Sequence, residues 1–406
     1  MDFQGFKLHP AVAAGAAAAG FVTPTPIQAQ AIPSVMQGQD VMGLAQTGTG
    51  KTAAFTLPVL HRLMQTGGRK RVRALIVAPT RELAEQIYQA VSDMGKRTPL
   101  RCITVYGGVG VAPQSEKLKQ GPEIVIACPG RLLDHIGRKN IDLSRLEVLI
   151  LDEADLMFDM GFLPDIKKIL QHIPHERQTL LFAATMQDEI KHLASEILRN
   201  PVFVQVGVTA PADTVSHALY PVDQHRKTAL LMELLRHTGT KPVLVFTRTK
   251  HRAKRLGEQL SSAGYRSASL QGNLSQGRRQ AALDGFRSGR FQVLVATDIA
   301  ARGIDVSGVS HVINYDVPGT ADAYIHRIGR TGRANQTGDA FTLITAEDAA
   351  MVRAITKALG SQIERRTIKG FDYGVQAPQK ETRPVPAARR TGKSMFHPQS
   401  RRRHSF

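Results

Sequence analysis

The chain has 406 residues, 42% of them hydrophobic, and a formal net charge of +19; the length suits two domains rather than one core, and the charge favours a polyanionic partner. No uninterrupted apolar run is long enough to span a bilayer. Cys102 and Cys128 form neither a C-x-x-C pair nor a Cys/His metal spacing, so no membrane span and no zinc module is expected, and a reducing cytoplasm is the simplest setting.

From the N-terminus, the alanine-rich stretch Ala11–Ala19 lacks the basic leader of a signal peptide and predicts a helix. Val41-Met42-Gly43-Leu44 runs into Ala45-Gln46-Thr47-Gly48-Thr49-Gly50-Lys51-Thr52 and then into a helical pattern, which is a strand–loop–helix context. Apolar runs at Ala74–Ala78, Ile124–Ala127, Val148–Leu151 and Thr179–Phe182 lack polar alternation and predict strands buried on both faces. The composition changes near Gly207–Pro221, where an interdomain linker is expected at 207–218. Val243–Phe246, Val293–Ala296 and His311–Tyr315 then repeat the buried-strand pattern up to about Gly370. Residues 371–406 are basic, contain proline and few large aliphatics, and close on Arg401-Arg402-Arg403-His404, which predicts a disordered tail. Two blocks of alternating strands and helices predict an α/β chain with two tandem doubly wound parallel-sheet domains, 1–206 and 219–370.

The loop 45–52 has the residues a triphosphate needs. Gly48 and Gly50 let backbone N–H groups curl around phosphate, Lys51 can reach the β and γ oxygens, and the Thr52 hydroxyl can ligand Mg²⁺. Asp152-Glu153-Ala154-Asp155 follows the buried run Val148–Leu151, so its acids sit at a strand's carboxyl end, where open α/β sheets bind ligands. Asp152 suits Mg²⁺ held through water, and Glu153 suits an attacking water. Together the two segments describe a nucleotide hydrolase. Far downstream, His326-Arg327-Ile328-Gly329-Arg330-Thr331-Gly332-Arg333 adds permanently charged, bidentate guanidinium groups.

These segments resemble the signature set of the DEAD-box ATP-dependent RNA helicases from about Phe3 to about Gly370, and their wording is most similar to the bacterial RhlE-type subgroup. The resemblance implies two RecA-like domains, ATP and Mg²⁺ as cofactors, and RNA as partner, with ribosomal precursors or decay machinery as candidate RNA–protein complexes. Gly20-Phe21-Val22-Thr23-Pro24-Thr25-Pro26-Ile27-Gln28 looks like the family's adenine-recognition element. It implies that Gln28 reads adenine, Phe21 stacks on it, and Ala45, Gln46, Thr47, Gly48, Thr49, Gly50, Lys51 and Thr52 hold the phosphates. Arg330 and Arg333 map onto the family's arginine fingers, Asp305 onto its ribose contact, and Ala183, Thr185, Arg302 and His326 onto residues that couple the domains. Thr80, Arg81, Gly108 and Arg131 resemble RNA-binding positions of the first domain; Arg248, Arg279 and Thr297 resemble those of the second. Hydroxyls, backbone N–H groups and arginines without interleaved aromatics suit phosphate and 2′-OH contacts, with little sequence specificity.

The match departs in three places. Cys128 replaces a usual threonine before Pro129-Gly130-Arg131, Gln271-Gly272-Asn273 replaces His-Gly-Asp, and Ala183-Ala184-Thr185 replaces Ser-Ala-Thr. The last removes a hydroxyl expected to tie down Asp155. An RNA-dependent ATPase that opens short duplexes or remodels RNA–protein complexes is the reading these residues favour. An ATP-dependent RNA clamp, or an annealing chaperone acting through the basic tail, is the alternative.

Overall fold

The computed structural model describes residues 2–45, 48–67, 70–206, 215–239, 241–301, 309–332 and 337–374. Fourteen strands in these residues form two seven-stranded sheets, parallel throughout. The first holds β1 (Val41–Leu44), β2 (Ala74–Val77), β3 (Cys102–Val105), β4 (Ile124–Ala127), β5 (Val148–Leu151), β6 (Gln178–Ala183) and β7 (Val202–Gln205), in the order β3-β4-β2-β5-β6-β1-β7. The second holds β8 (Val215–Pro221), β9 (Val243–Phe246), β10 (Ser267–Leu270), β11 (Val293–Ala296), β12 (His311–Asn314), β13 (Gly338–Ile344) and β14 (Glu364–Arg365), in the order β10-β11-β9-β12-β13-β8-β14. The two sheets therefore share one strand permutation, a repeat of topology without a short sequence repeat.

Helices cover both faces of the first sheet. Ile76, Ile126, Ile150 and Phe182 pack against the helices Pro10–Ala18, Pro26–Met36, Lys51–Gln65 and Arg81–Gly95. Their chain neighbours Leu75, Val125, Leu149 and Leu181 point to the opposite core, under the helices Pro129–Gly137, Leu163–Leu170 and Asp188–Ile197. Each such fully buried side chain contributes about 1.5–3 kcal/mol of transfer free energy. Two-sided burial explains why these strands read as unbroken apolar runs.

The seven strands expected from such runs all form, with ends shifted by at most one residue. The pattern missed β3, β7, β10 and β14, which lie at or next to sheet edges and carry half-buried or exposed positions. It also missed β8 and β13, which mix polar residues into a covered face. Residues 215–218, expected in the linker, belong instead to β8, because β13 and β14 supply its ladder partners. Phe371, expected to open the tail, lies under the Arg226 guanidinium, 5.0 Å from ring centroid to charge centre. The rest of the expected linker (207–214) and the tail from 375 lie outside the described residues.

Candidate functional site

The carboxyl ends of β1 and β5 flank that of β6. From β1 the chain turns through Ala45 into the helix Lys51–Gln65, whose first N–H groups have no partner within the helix and so suit an anion. Gly50, at the helix N-cap, has φ 96°. A Cβ there would lie 2.5 Å from Gln28 Nε2, so both torsion and space require glycine. Gln28 is buried; its Oε1 accepts from the Thr25 N–H at 2.9 Å and its Nε2 donates to Gly50 O at 3.1 Å. The expected adenine-reading glutamine is thus fastened directly to the phosphate loop. Phe21 is half-buried and meets Phe3 edge-on, with centroids 5.6 Å apart. Lys51 is only 5% exposed, and its Nζ donates to Ala45 O at 2.7 Å, inside the curl of its own loop. Thr49 and Thr52 are half-buried on the same turn.

Asp152, Glu153 and Asp155 are all buried. Glu153 caps the helix Ala154–Asp159 with φ 52°, a left-handed conformation that non-glycine residues rarely adopt and that costs about 1–3 kcal/mol where it is held. Its N–H donates to Asp152 Oδ1 at 3.0 Å. Burial pushes the Asp152 carboxyl above the usual range, against the pull of Lys51. Burial likewise pushes Glu153 up to about 7; Lys51 opposes the rise, Asp152 adds to it and Arg330 opposes it. A carboxyl poised near neutrality can take a proton from water at physiological pH.

Asp155 is well supplied with donors. Its Oδ2 accepts from Ala184 N–H (3.1 Å), Thr185 N–H (3.0 Å) and Thr185 Oγ1 (3.2 Å). His326 Nε2, from the second sheet's domain, lies 4.0 Å from the same oxygen. The hydroxyl missing at Ala183 therefore does not leave that oxygen stranded, and the Ala183 methyl is buried in the apolar core.

Arg330 is 6% exposed, and its charge is felt at Glu153. Arg327, three residues earlier, has a different task. It pairs with Asp298 through two hydrogen bonds (2.6 and 2.8 Å), donates to Asn314 Oδ1 and Asp316 O, and lies over the Phe246 ring. It braces the turn that carries Arg330. Thr297 is buried next to Asp298. Gln46, Thr47, Arg302, Asp305 and Arg333 lie outside the described residues.

Three of the four first-domain residues expected on RNA, Arg81, Gly108 and Arg131, meet at one turn. Thr80 Oγ1 accepts from the Leu83 N–H (3.3 Å) and caps the helix Arg81–Gly95. The Arg81 guanidinium lies 4.3 Å from the Tyr106 ring centroid. Gly108 has φ 80°, and Arg131 Nη1 donates to Val109 O at 3.0 Å. Cys128, the N-cap of the helix Pro129–Gly137, makes no side-chain cap bond; burial pushes its thiol up to about 12.

In the second domain the Arg248 N–H donates to Asp316 Oδ2 at 2.9 Å. Arg279, expected on RNA, also reaches the first domain. Its Nε donates to Glu82 Oε1 at 2.9 Å, a largely buried ion pair between the first domain and the second. Glu82, Tyr106, Gln114 and Arg327 were not singled out from sequence. Glu82, Tyr106 and Arg327 act through tertiary contacts with distant segments, of which spacing along the chain carries no signal, and Gln114 closes its own turn without forming part of any motif.

These residues fit ATP and Mg²⁺. A buried ammonium faces two buried carboxylates beside a loop that only glycine can form, which is a cradle for a charged phosphate ligand. Among the described residues no group of three or more His, Cys, Asp or Glu could cage a metal alone. Mg²⁺ needs only one or two protein oxygens beside phosphate and water.

A family model described as DEAD/DEAH box helicase matches residues 25–193, and one described as helicase conserved C-terminal domain matches residues 226–335. The chain is 44% identical over 364 residues to the DEAD-box ATP-dependent RNA helicase RhpA of Helicobacter pylori (strain B128), covering 89% of this chain and 73% of that protein. It is 41% identical over 385 residues to the DEAD-box ATP-dependent RNA helicase CshA of Bacillus subtilis (strain 168), covering 94% and 77%. Neither name decides the RhlE-type resemblance. The fold superposes on S. cerevisiae Dbp5 bound to RNA and ADP BeF3 with a TM-score of 0.80 at 31% identity, covering 90% of this chain and 95% of that one. The two matched domains, in this order and over this extent, place the chain in the family of DEAD-box ATP-dependent RNA helicases.

Proposed function

We propose that the chain is an RNA-dependent ATPase that locally separates short RNA duplexes, or remodels RNA–protein complexes, by closing its two domains on ATP. The observation that carries this reading is the meeting of Arg330 and His326 with Glu153 and Asp155, residues that belong to different sheets. In this reading Lys51 binds the β and γ oxygens, and Gln28 with Phe21 selects adenine. Thr52 and Asp152 hold Mg²⁺, which supplies charge neutralisation at the phosphates. Glu153 orients the attacking water and accepts its proton, while Arg330, with Arg333, meets the charge that develops in the transition state. Asp305 contacts the ribose. Thr80, Arg81, Gly108, Arg131, Arg248, Arg279 and Thr297 hold the RNA sugar–phosphate backbone, so sequence readout by the core is slight. The RNA and ADP BeF3 held by Dbp5, whose two-sheet body superposes on this one, support the same closed arrangement here. The domains are proposed to meet in a linker that ends before Val215.

The test is ATP hydrolysis with and without single-stranded poly(U), beside separation of a short duplex. RNA should stimulate hydrolysis, and Glu153→Gln should keep ATP and RNA binding while nearly abolishing turnover. Lys51→Ala should weaken ATP binding itself. Hydrolysis indifferent to RNA, or wild-type turnover in Glu153→Gln, overturns the assignment. RNA-stimulated hydrolysis without strand separation establishes the clamp role in its place.

A further inference from the structure

The turn Tyr106–Gly110 joins the edge strand β3 to the helix Val111–Lys119, and one buried side chain closes it from within. Gln114 Oε1 accepts from the Tyr106 N–H at 3.1 Å; its Nε2 donates to Tyr106 O at 3.1 Å and to Gly110 O at 3.3 Å. Gln114 is only 6% exposed. A carboxamide suits this task because it offers an acceptor and two donors in one plane, so both ends of the turn are gripped at once.

The same turn holds the neighbouring charged groups. The Tyr106 ring lies under Arg81, and its hydroxyl donates to Glu85, which also accepts from Thr104 Oγ1 at 3.2 Å. Arg131 grips the middle of the turn at Val109 O. Two of the residues enclosed, Gly107 and Gly108, are glycines, which lose the most freedom on ordering. Left unclamped, such a turn would have to be ordered by its ligand, at a cost to affinity.

We propose that Gln114 is a positioning residue for RNA binding: it presets the Gly107–Gly110 turn and, through Tyr106, the Arg81 guanidinium, before RNA arrives. This rests on the reading of Arg81, Gly108 and Arg131 as RNA contacts. Gln114 is buried and acts through the turn.

Gln114→Glu keeps the shape and the bond from the Tyr106 N–H but removes both donated bonds. The poly(U) concentration that half-saturates ATP hydrolysis should rise about tenfold, as expected for two lost hydrogen bonds. The maximal rate at saturating poly(U), and ATP binding without RNA, should stay near wild type. Gln114→Met, of similar volume with no donor, should shift the same parameter in the same direction and stands in if the glutamate protein does not fold. A fall in maximal rate with an unchanged half-saturation value, or no change in either variant, overturns the proposal. Arg81→Ala, measured alongside, separates the two levels. If it raises the half-saturation value and neither Gln114 variant does, the clamp is wrong; if it too has no effect, the RNA track itself is wrong, and the clamp falls with it.

Discussion

At Asp155 the supply of donors decides what Ala183 means. The family pattern has a serine hydroxyl there, yet Asp155 Oδ2 already accepts from two backbone N–H groups and the Thr185 hydroxyl. A further hydroxyl adds one bond of about 0.5–1.5 kcal/mol to an oxygen that is not in want of it. Ala183→Ser should therefore leave strand separation per ATP hydrolysed within about twofold of wild type, measured on one short duplex. A clear gain in that ratio would mean that the lost hydroxyl governs coupling. The placement of Lys51, Asp152 and Glu153 close together in a buried cluster was legible in the sequence, because phosphate chemistry restricts the residue types at those spacings, and Gln28 beside the phosphate loop was expected from the family resemblance. The bracing by Arg327 was not legible, because it depends on Asp298 and Phe246, far away in the chain; the left-handed turn at Glu153 and the grip of Gln114 are local, yet neither is a residue type that its position dictates.

Among elements, the helix Pro129–Gly137 shows an unfilled position. Its N-cap, Cys128, has the extended backbone (φ −90°, ψ 142°) of a good cap but makes no side-chain bond to the first turn. The neutral thiol, pushed up to about 12 by burial, is a weak acceptor for those N–H groups. Cys128→Thr should supply the bond and stabilise the first domain by about 1 kcal/mol, or roughly 2–4 °C in melting temperature for a domain of this size. Thermal unfolding of the two proteins measures it directly; an unchanged or lower midpoint would mean that sulfur packing outweighs the cap. Strands divide in the same physical way. Those covered on both faces, such as β5, were legible as apolar runs, whereas β3 and β7, at the edges of the first sheet, meet solvent and carry mixed residues that no simple period marks.

For the whole molecule, two sheets of identical strand permutation bring Arg330 and His326 of one domain to the buried acids of the other, and in the function proposed above closure is the event on which hydrolysis depends. Glu82 and Arg279 give that closure a local handle. The pair lies in a mostly buried position between the halves, 2.9 Å apart, and Arg279 is also a residue expected on RNA. The two roles make different predictions. If the ion pair favours the closed state, Arg279→Ala should lower RNA-stimulated turnover about tenfold. That is less than the roughly 3–5 kcal/mol for breaking a permanently buried pair, since both groups can regain water when the domains part. The exchange Glu82→Arg with Arg279→Glu restores opposite charges in reversed order and should recover most of that loss, giving a coupling energy of about 1 kcal/mol or more in a double-mutant cycle. If Arg279 serves RNA directly, the glutamate now facing the phosphates repels them, and the exchanged protein should be worse than either single variant. Turnover across a poly(U) titration in all four proteins distinguishes the two: recovery on exchange assigns Arg279 to closure, and additive or greater loss returns it to the RNA track.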